Sequence, residues 1–411
     1  MPVINRGQSL CMAVLFVVAA ACNTSVDDVV APVVIKAGTS GPHPAIGPAV
    51  HVANVEELYA AVNDVANAGA AIILEPGIYT LSATTPGGAA RPNAGRLELQ
   101  PDMSLHGVAD DRAAVVIDAG MLPTSSFNVL FGRTAPVRMG RGTNAIEWLT
   151  VLAPPTAAAG IATELAGTAT TSVRVAHVFA TGASRGVDIR NVGASMIGRR
   201  IEADVVDNEF AGPPQIIGMT EGVRIANFVG ADNGVIVANL RGNNAHGFQL
   251  GCVVANNRSS NAVITVRSSG DRFHDNGVGC FIAGGLSQAT TGVANGNRTD
   301  FEAHGTRFVD NTALLGFTPG GVQVVGALST VQANVASNNR VTVSLWGSKS
   351  EGNLGKDFEA IGAWMEALSG LAGTGNQVTI NLNGVSRRID VSVTASLPPD
   401  PGNTNVVTVV R

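Results

Sequence analysis

The sequence is poor in charge and in aromatic rings: 14% of its 411 residues are Asp, Glu, Lys or Arg, and 4% are Phe, Trp or Tyr. Net charge is -5 and no run of Lys or Arg stands out, so the electrostatic footprint of a nucleic-acid-binding surface is missing. The three Trp, at 148, 346 and 364, are not periodic, which argues against the repeated aromatic motifs of propeller blades. No Tyr follows Tyr79, so the aromatic platforms that usually contact sugars are scarce. Seven scattered His and four Cys offer no pair at zinc-like spacing, and neither a metal nor a cofactor is expected. Lysine is nearly absent: 3 of the 26 cations are Lys and the rest Arg. A guanidinium excess suits planar recognition of carboxylates, although a genome rich in Ala, Gly and Arg codons produces it as readily.

What is present is small and turn-forming, with 45% hydrophobic residues and 49 Gly, the composition of a packed chain rather than a disordered one. Four segments of the last third align almost without gaps: Asn261-Ala-Val-Ile-Thr-Val-Arg-Ser-Ser-Gly, Asn297-Arg-Thr-Asp-Phe-Glu-Ala-His-Gly, Asn339-Arg-Val-Thr-Val-Ser-Leu-Trp-Gly and Asn376-Gln-Val-Thr-Ile-Asn-Leu-Asn-Gly. Their starts lie 36, 42 and 37 residues apart, and the first three run on to a second Asn at Asn276, Asn311 and Asn353. Short strands at such a period, separated by Asn turns and Gly-flanked loops, mean a stacked array in which each repeat touches only its neighbours. Earlier strands such as Gly186-Val-Asp-Ile-Arg-Asn191 and Gly222-Val-Arg-Ile-Ala-Asn227 alternate so that every second side chain points inward. In the second Asn position, turn chemistry and stacked amide ladders account for the residue type. The stretch 357–368 fits a helical face as well as a strand; the repeat places 357–362 on a strand and leaves 363–371 open.

At the start, an apolar run from Leu10 to Ala21 ends at Cys22. Twelve helical residues rise about 18 Å, short of the roughly 30 Å hydrocarbon core, so the run reads as a signal h-region rather than a span. Ala19-Ala20-Ala21-Cys22 resembles the lipobox of bacterial lipoproteins without its usual Leu. That resemblance implies acylation of Cys22, an exported protein anchored to a membrane and, with Asn23 in place of a retention Asp, an outer-membrane location in a Gram-negative host. The expected layout is a signal peptide over 1–21, a tether over 22–50 and one elongated domain over 51–411. Export permits a disulfide between Cys252 and Cys280. The two fall at different positions of their repeats, which favours two buried thiols.

A helix is expected over 54–69, with Asn54 as N-cap, Glu57 as capping-box partner, Leu58, Ala61, Val62 and Val65 on one face, and Gly69 as its end. It is followed by Ile72-Ile-Leu-Glu-Pro-Gly-Ile-Tyr79. Helix and strand together resemble the opening of pectate-lyase-like right-handed parallel β-helices, and the likeness continues through 97–107 and 114–118. It implies an all-β right-handed solenoid whose N-terminal helix covers the open end of the coil, hiding its apolar layer and unpaired edge.

Chemistry is harder to place. The lyases of that family carry a Trp-Ile-Asp-His type signature, which is absent. The nearest polar groupings are Arg267, Asp271, His274 and Asp275 in one repeat and His304, Arg307 and Asp310 in the next. If equivalent positions stack, Arg267, His274, His304 and Arg307 are the catalytic candidates, and Asp275 and Asp310 the substrate-binding ones. An Arg would neutralise a uronate carboxylate and an imidazole would serve as base. Turn and surface roles explain the same residues. Phe248, Phe281 and Phe317 read as core. Three functions remain open: a surface β-helix with a binding or structural role, possibly toward polysaccharide; a lyase or hydrolase of an acidic glycan; and an adhesin-like solenoid.

Overall fold

The computed structural model describes residues 47–128, 133–165, 170–193, 199–215, 218–287, 292–312, 319–330, 335–365, 372–385, 390–400 and 402–411, all within one compact unit, Ser40–Arg411. The leader, most of the tether, Cys22, Phe317 and residues 366–371 lie outside the described residues.

Strand follows strand in a fixed rotation through three sheets of twelve, nine and ten strands, and every pairing between strands is parallel. The chain is a right-handed parallel β-helix, the hand that parallel crossover connections take. One coil runs through Val263–Ser269 in the first sheet, Arg272–His274 in the second and Val278–Ser287 in the third. The next coil repeats it at Arg298–His304, Arg307–Val309 and Gly320–Ser329. Inward side chains form one continuous apolar core from Val52 to Leu382. The third sheet is buried on its outer face too, where Leu250, Val253, Phe281, Leu328 and Ile361 form a second apolar cluster. Phe248 belongs to the inner core, whereas Phe281 faces outward.

The corner from first to second sheet is built alike in coil after coil. Its first residue is left-handed at Trp148, His177, Asp207, Gly242, Gly270, Gly305 and Gly347, with φ between 53° and 65°. Glycine is the residue that accepts this conformation without steric cost, hence its recurrence. The next residue points inward and stacks on its equivalent. Asn208 Nδ2 donates to Asn243 Oδ1 at 2.9 Å, and Asn243 Nδ2 to Asp271 Oδ1 at 2.8 Å. A second ladder runs along Asn276, Asn311 and Asn353, and a third along Asn297, Asn339, Asn376 and Asn405. The second Asn of each repeat is thus a ladder residue, wholly buried at Asn276 and Asn311 and partly buried at Asn353. The first repeat is offset by one: Ala262, not Asn261, occupies the position of Asn297, whose Oδ1 accepts from Ala262 N at 2.9 Å, while Asn261 is a left-handed turn residue with φ 54°.

Three further expectations change. The helix spans Val55–Asn63, with Asn54 capping Glu57 N and Glu57 reaching back to Ala53 N, but it stops before Gly69. Asp64 accepts from Ala66 N and starts a short 3-10 turn, local bonding that competes with the helix, and Val65 is therefore exposed. Leu58 and Val62 enter the core over the first coil. Cys252 and Cys280 occupy the same position, not different ones: they pair in register in the third sheet as buried free thiols. The contact with Cys280, together with burial, pushes the Cys252 thiol well above its ordinary pKa. Finally, Lys356–Met365 is a strand, so the repeat reading of 357–362 holds and extends to Met365; the sheet itself begins at Ala49–Val52, two residues inside the segment read as tether.

Asp271 is the exception in the ladders, a carboxyl where the two coils below have amides. Burial outweighs its bonds from Ser268 Oγ and from Asn243, and its pKa is raised to about 6. With an unfolded value near 3.9, the native state favours the proton. The contribution is complete below about pH 4 and lost as pH rises through about 6, a difference on the order of 3 kcal/mol. Asp271→Asn should therefore raise the urea midpoint at pH 8 and leave it near wild type at pH 4, because the new amide can donate to the Ser268–Thr306 hydroxyl pair. Equal gains at both pH values would contradict the account. Asn339→Ala removes the acceptor of both Asn297 N and Asn297 Nδ2. Leaving buried donors unpaired costs roughly 1–3 kcal/mol each, and hydrogen exchange at the Asn297 amide should accelerate. Asn261→Gly, outside the ladder, should cost less than about 1 kcal/mol.

Candidate functional site

The sequence candidates separate onto two faces. Arg267 and His304 lie on the outer face of the first sheet, where Arg267 pairs in register with Glu302. Glu302 bridges them: its Oε1 lies 2.8 Å from His304 Nε2 and its Oε2 lies 3.8 Å from Arg267 Nε. His304 is half exposed and stacks against Trp346, with ring centroids 6.1 Å apart and planes at 5°. Glu302 was not singled out in the sequence; its signal was the alternation that puts 302 and 304 on one face.

His274, Asp275, Arg307 and Asp310 belong to the second sheet and its following corner. Asp275 and Asp310 are left-handed turn residues at equivalent places, with φ 53° and 55°. His274 is held by Asp275 on Nδ1 and by Asn244 on Nε2, and it stacks on His246 at 5.2 Å. Burial, more than the opposing bond from Asp275, lowers its pKa. Arg307 does not meet Arg267: the two are on different sheets. Arg307 stands in register between Arg272 and Lys349, all three exposed. Arg307 has Glu351 at 3.6 Å, while Arg272 and Lys349 have no ion pair among the described residues.

Sequence reasoning passed over the third sheet. Residues 188, 190 and 224 are the outward positions of strands quoted above only for their alternation. Pairing sets Arg185 opposite Glu221 and Asp188 opposite Arg224. Glu221 Oε2 accepts from Arg185 Nε at 2.5 Å and from Arg224 Nη1 at 3.3 Å. Asp188 is wholly buried, with Arg190 Nε at 3.3 Å, Arg185 Nη1 at 3.7 Å and Arg224 Nε at 3.9 Å. Burial alone would raise its pKa, but the guanidiniums of Arg190, Arg185 and Arg224 outweigh it and hold the carboxyl below the usual range. Burial lowers the pKa of Arg224. Phe228, at the end of the same strand, has the guanidiniums of Arg190 and Arg224 at 5.0 Å from its ring centre and that of Arg258 at 5.7 Å. A charge network this deep gains little net stability over apolar packing, whereas losing one partner costs about 3–5 kcal/mol. Among the described residues no cluster of His, Cys, Asp and Glu could hold a metal ion.

No protein-family model and no curated protein matches the chain. Among solved structures it is similar to the A-module of a mannuronan C-5 epimerase from Azotobacter vinelandii, at 15% identity and TM-score 0.37, covering 86% of this chain and 100% of that one. It is similar also to an alginate lyase from a Paenibacillus species, at 12% identity and TM-score 0.24, covering 73% and 94%. A third is the Dettilon tailspike protein, at 11% identity and TM-score 0.31, covering 82% and 64%. Likenesses at this level assign no activity, and the parallel β-helix of this chain rests on its own strand pairing.

Proposed function

We propose that this is an exported, lipid-anchored β-helix that binds an acidic polysaccharide along its second sheet. The column Arg272, Arg307 and Lys349 carries this reading. Strands of a sheet lie about 4.8 Å apart, so three cations stand side by side in a row along the solenoid axis. Like charges at that spacing repel by roughly 0.8 kcal/mol per pair even at the dielectric of water, and like charges opposite one another weaken a sheet. An extended polymer with one carboxylate per ring would relieve the repulsion, each guanidinium gripping a carboxylate through two parallel bonds. Nearby carboxylates are Asp275, Asp310 and Glu351; Asp275 is engaged by His274 and Glu351 by Arg307. Anchoring is supported by the apolar run that ends at Cys22.

A second reading, an acidic-glycan lyase, is favoured by one arrangement: Glu302 orients the half-exposed His304 beside Arg267, a carboxylate–imidazole pair with a cation at hand.

Retention of polygalacturonate and of neutral dextran in affinity gels tests the binding reading. Polygalacturonate should be retained and dextran not; Arg272→Ala and Arg307→Ala should each weaken retention several-fold, and added salt should weaken it further. Melting temperatures should stay nearly unchanged, since replacing an exposed charge changes stability by about 0.5 kcal/mol or less. Arg267→Ala should have a smaller effect on retention. Unsaturated products lost on His304→Ala would establish the lyase instead. Cys22→Ala should release the protein from the membrane fraction and remove the acyl mass; unchanged partition would refute the anchor.

A further inference from the structure

At the corner where the third sheet turns into the first, a cavity of about 280 Å³ is lined by Val229, Gly230, Arg258, Ser260, Gly292 and Val293, with Asp232 also on its wall. Val229 directly follows Phe228, so the cavity adjoins the ring that carries the three guanidiniums. Arg258 differs from the other two. Arg190 and Arg224 are engaged with Asp188 and Glu221, but Arg258 has no ion pair among the described residues, and its Nε is buried without a hydrogen-bond partner. The side chain is nevertheless fixed in place. Its guanidinium lies over Phe228, and its stem lies against Gly292, where an added Cβ would come within 3.2 Å of the Arg258 Cβ and Cδ. The residue also adopts a left-handed backbone, with φ 51°, that an Arg rarely takes.

We propose that this cavity binds a carboxylate-bearing ligand about the size of one sugar-acid ring, with Arg258 as its anion-recognising residue. The volume lies just below the usual range for drug-sized ligands, which suits one ring and not an oligomer. A guanidinium already held by its stem and by a phenyl face presents its fork with little rotamer entropy left to lose. Asp232 keeps one oxygen on Ser260 N at 2.6 Å, and its other oxygen can accept from a ring hydroxyl. Ser260 Oγ accepts from Asn295 N at 3.3 Å and retains its own proton to donate. Together the wall offers a fork for a carboxylate and single partners for hydroxyls. This site is independent of the second-sheet column: it takes a single acid ring, whether free or at a chain end, and not the length of a polymer.

Calorimetric titration of the full chain with galacturonate and with galactose tests the assignment, with a reduced-end-blocked trimer of galacturonate separating free acid from chain end. Galacturonate should bind, and galactose at least tenfold more weakly. Arg258→Ala should lower galacturonate affinity tenfold or more, and Arg258→Lys should recover part of it, since a charge-assisted pair is lost in the first and a single bond kept in the second. Val293→Trp, which fills the cavity without touching the charge, should abolish binding even if Arg258→Ala proves unstable. Arg272→Ala and Arg307→Ala should leave galacturonate binding intact, and Arg258→Ala should leave polygalacturonate retention intact, so each reading can fail without the other. Equal affinity for galactose, no binding of galacturonate, or wild-type affinity in both Arg258→Ala and Val293→Trp would overturn the proposal.

Discussion

A coil that turns inward at its corners buries backbone and side-chain polar atoms where water cannot reach them, and everything else in this solenoid depends on how those atoms are satisfied. Asparagine solves the problem because its amide both donates and accepts, so each residue accepts from one neighbouring coil and donates to the other. The run Asn297, Asn339, Asn376 and Asn405 repeats this over four coils at 2.8–3.0 Å, and Asn191, Asn227 and Asn256 do the same at the same corner of earlier coils, ending on the Thr299 hydroxyl. A carboxylate cannot donate, and Asp271 accordingly ends its ladder and hands over to the hydroxyls of Ser268 and Thr306. In-register stacking is therefore a hydrogen-bonding requirement as well as a packing one.

The same register that aligns amides aligns charges. On the buried third sheet it sets opposite signs face to face, Arg185 with Glu221 and Asp188 with Arg224, the only arrangement in which such groups tolerate loss of water. On the exposed second sheet it sets like signs together, Arg272 with Arg307 and Lys349. Water screens that row well enough for the sheet to form, and it leaves a surface that an anion would improve. Burial, not residue type, separates the two cases. The arginine excess of the chain thus has two physical uses, one internal and one facing solvent.

Much of this was legible in order along the chain. The Asn-led strands near residues 297, 339 and 376 announced the coil and its ladders, and Asn54 with Glu57 announced the capping helix. The candidate residues were legible only in part. His304 and Arg267 do share a face, but the link between them is Glu302, and the Arg that stands beside Arg307 is Arg272. Arg267 and Arg307 stand on either side of the Gly270 and Gly305 corners, the one on the first sheet and the other on the second; separately, Asn261 looks like the ladder residue and is the turn before it. A parallel sheet has a side-chain period of two, so an offset of one residue changes which face and which neighbour a side chain meets.

By itself the sequence determined the strand-and-turn rhythm, the residues able to occupy left-handed corners and the absence of a zinc-like ligand pattern, because each of these depends on local backbone preference and residue chemistry. Only the tertiary structure decided which residues become neighbours across 30 to 40 positions of chain. It set Cys252 on Cys280, closed Asp188 among three arginines, and left Arg258 beside a cavity with no ion pair among the described residues. Those outcomes depend on loop lengths between strands, which carry no periodic signal, and on the register that buried amides impose when the coils stack.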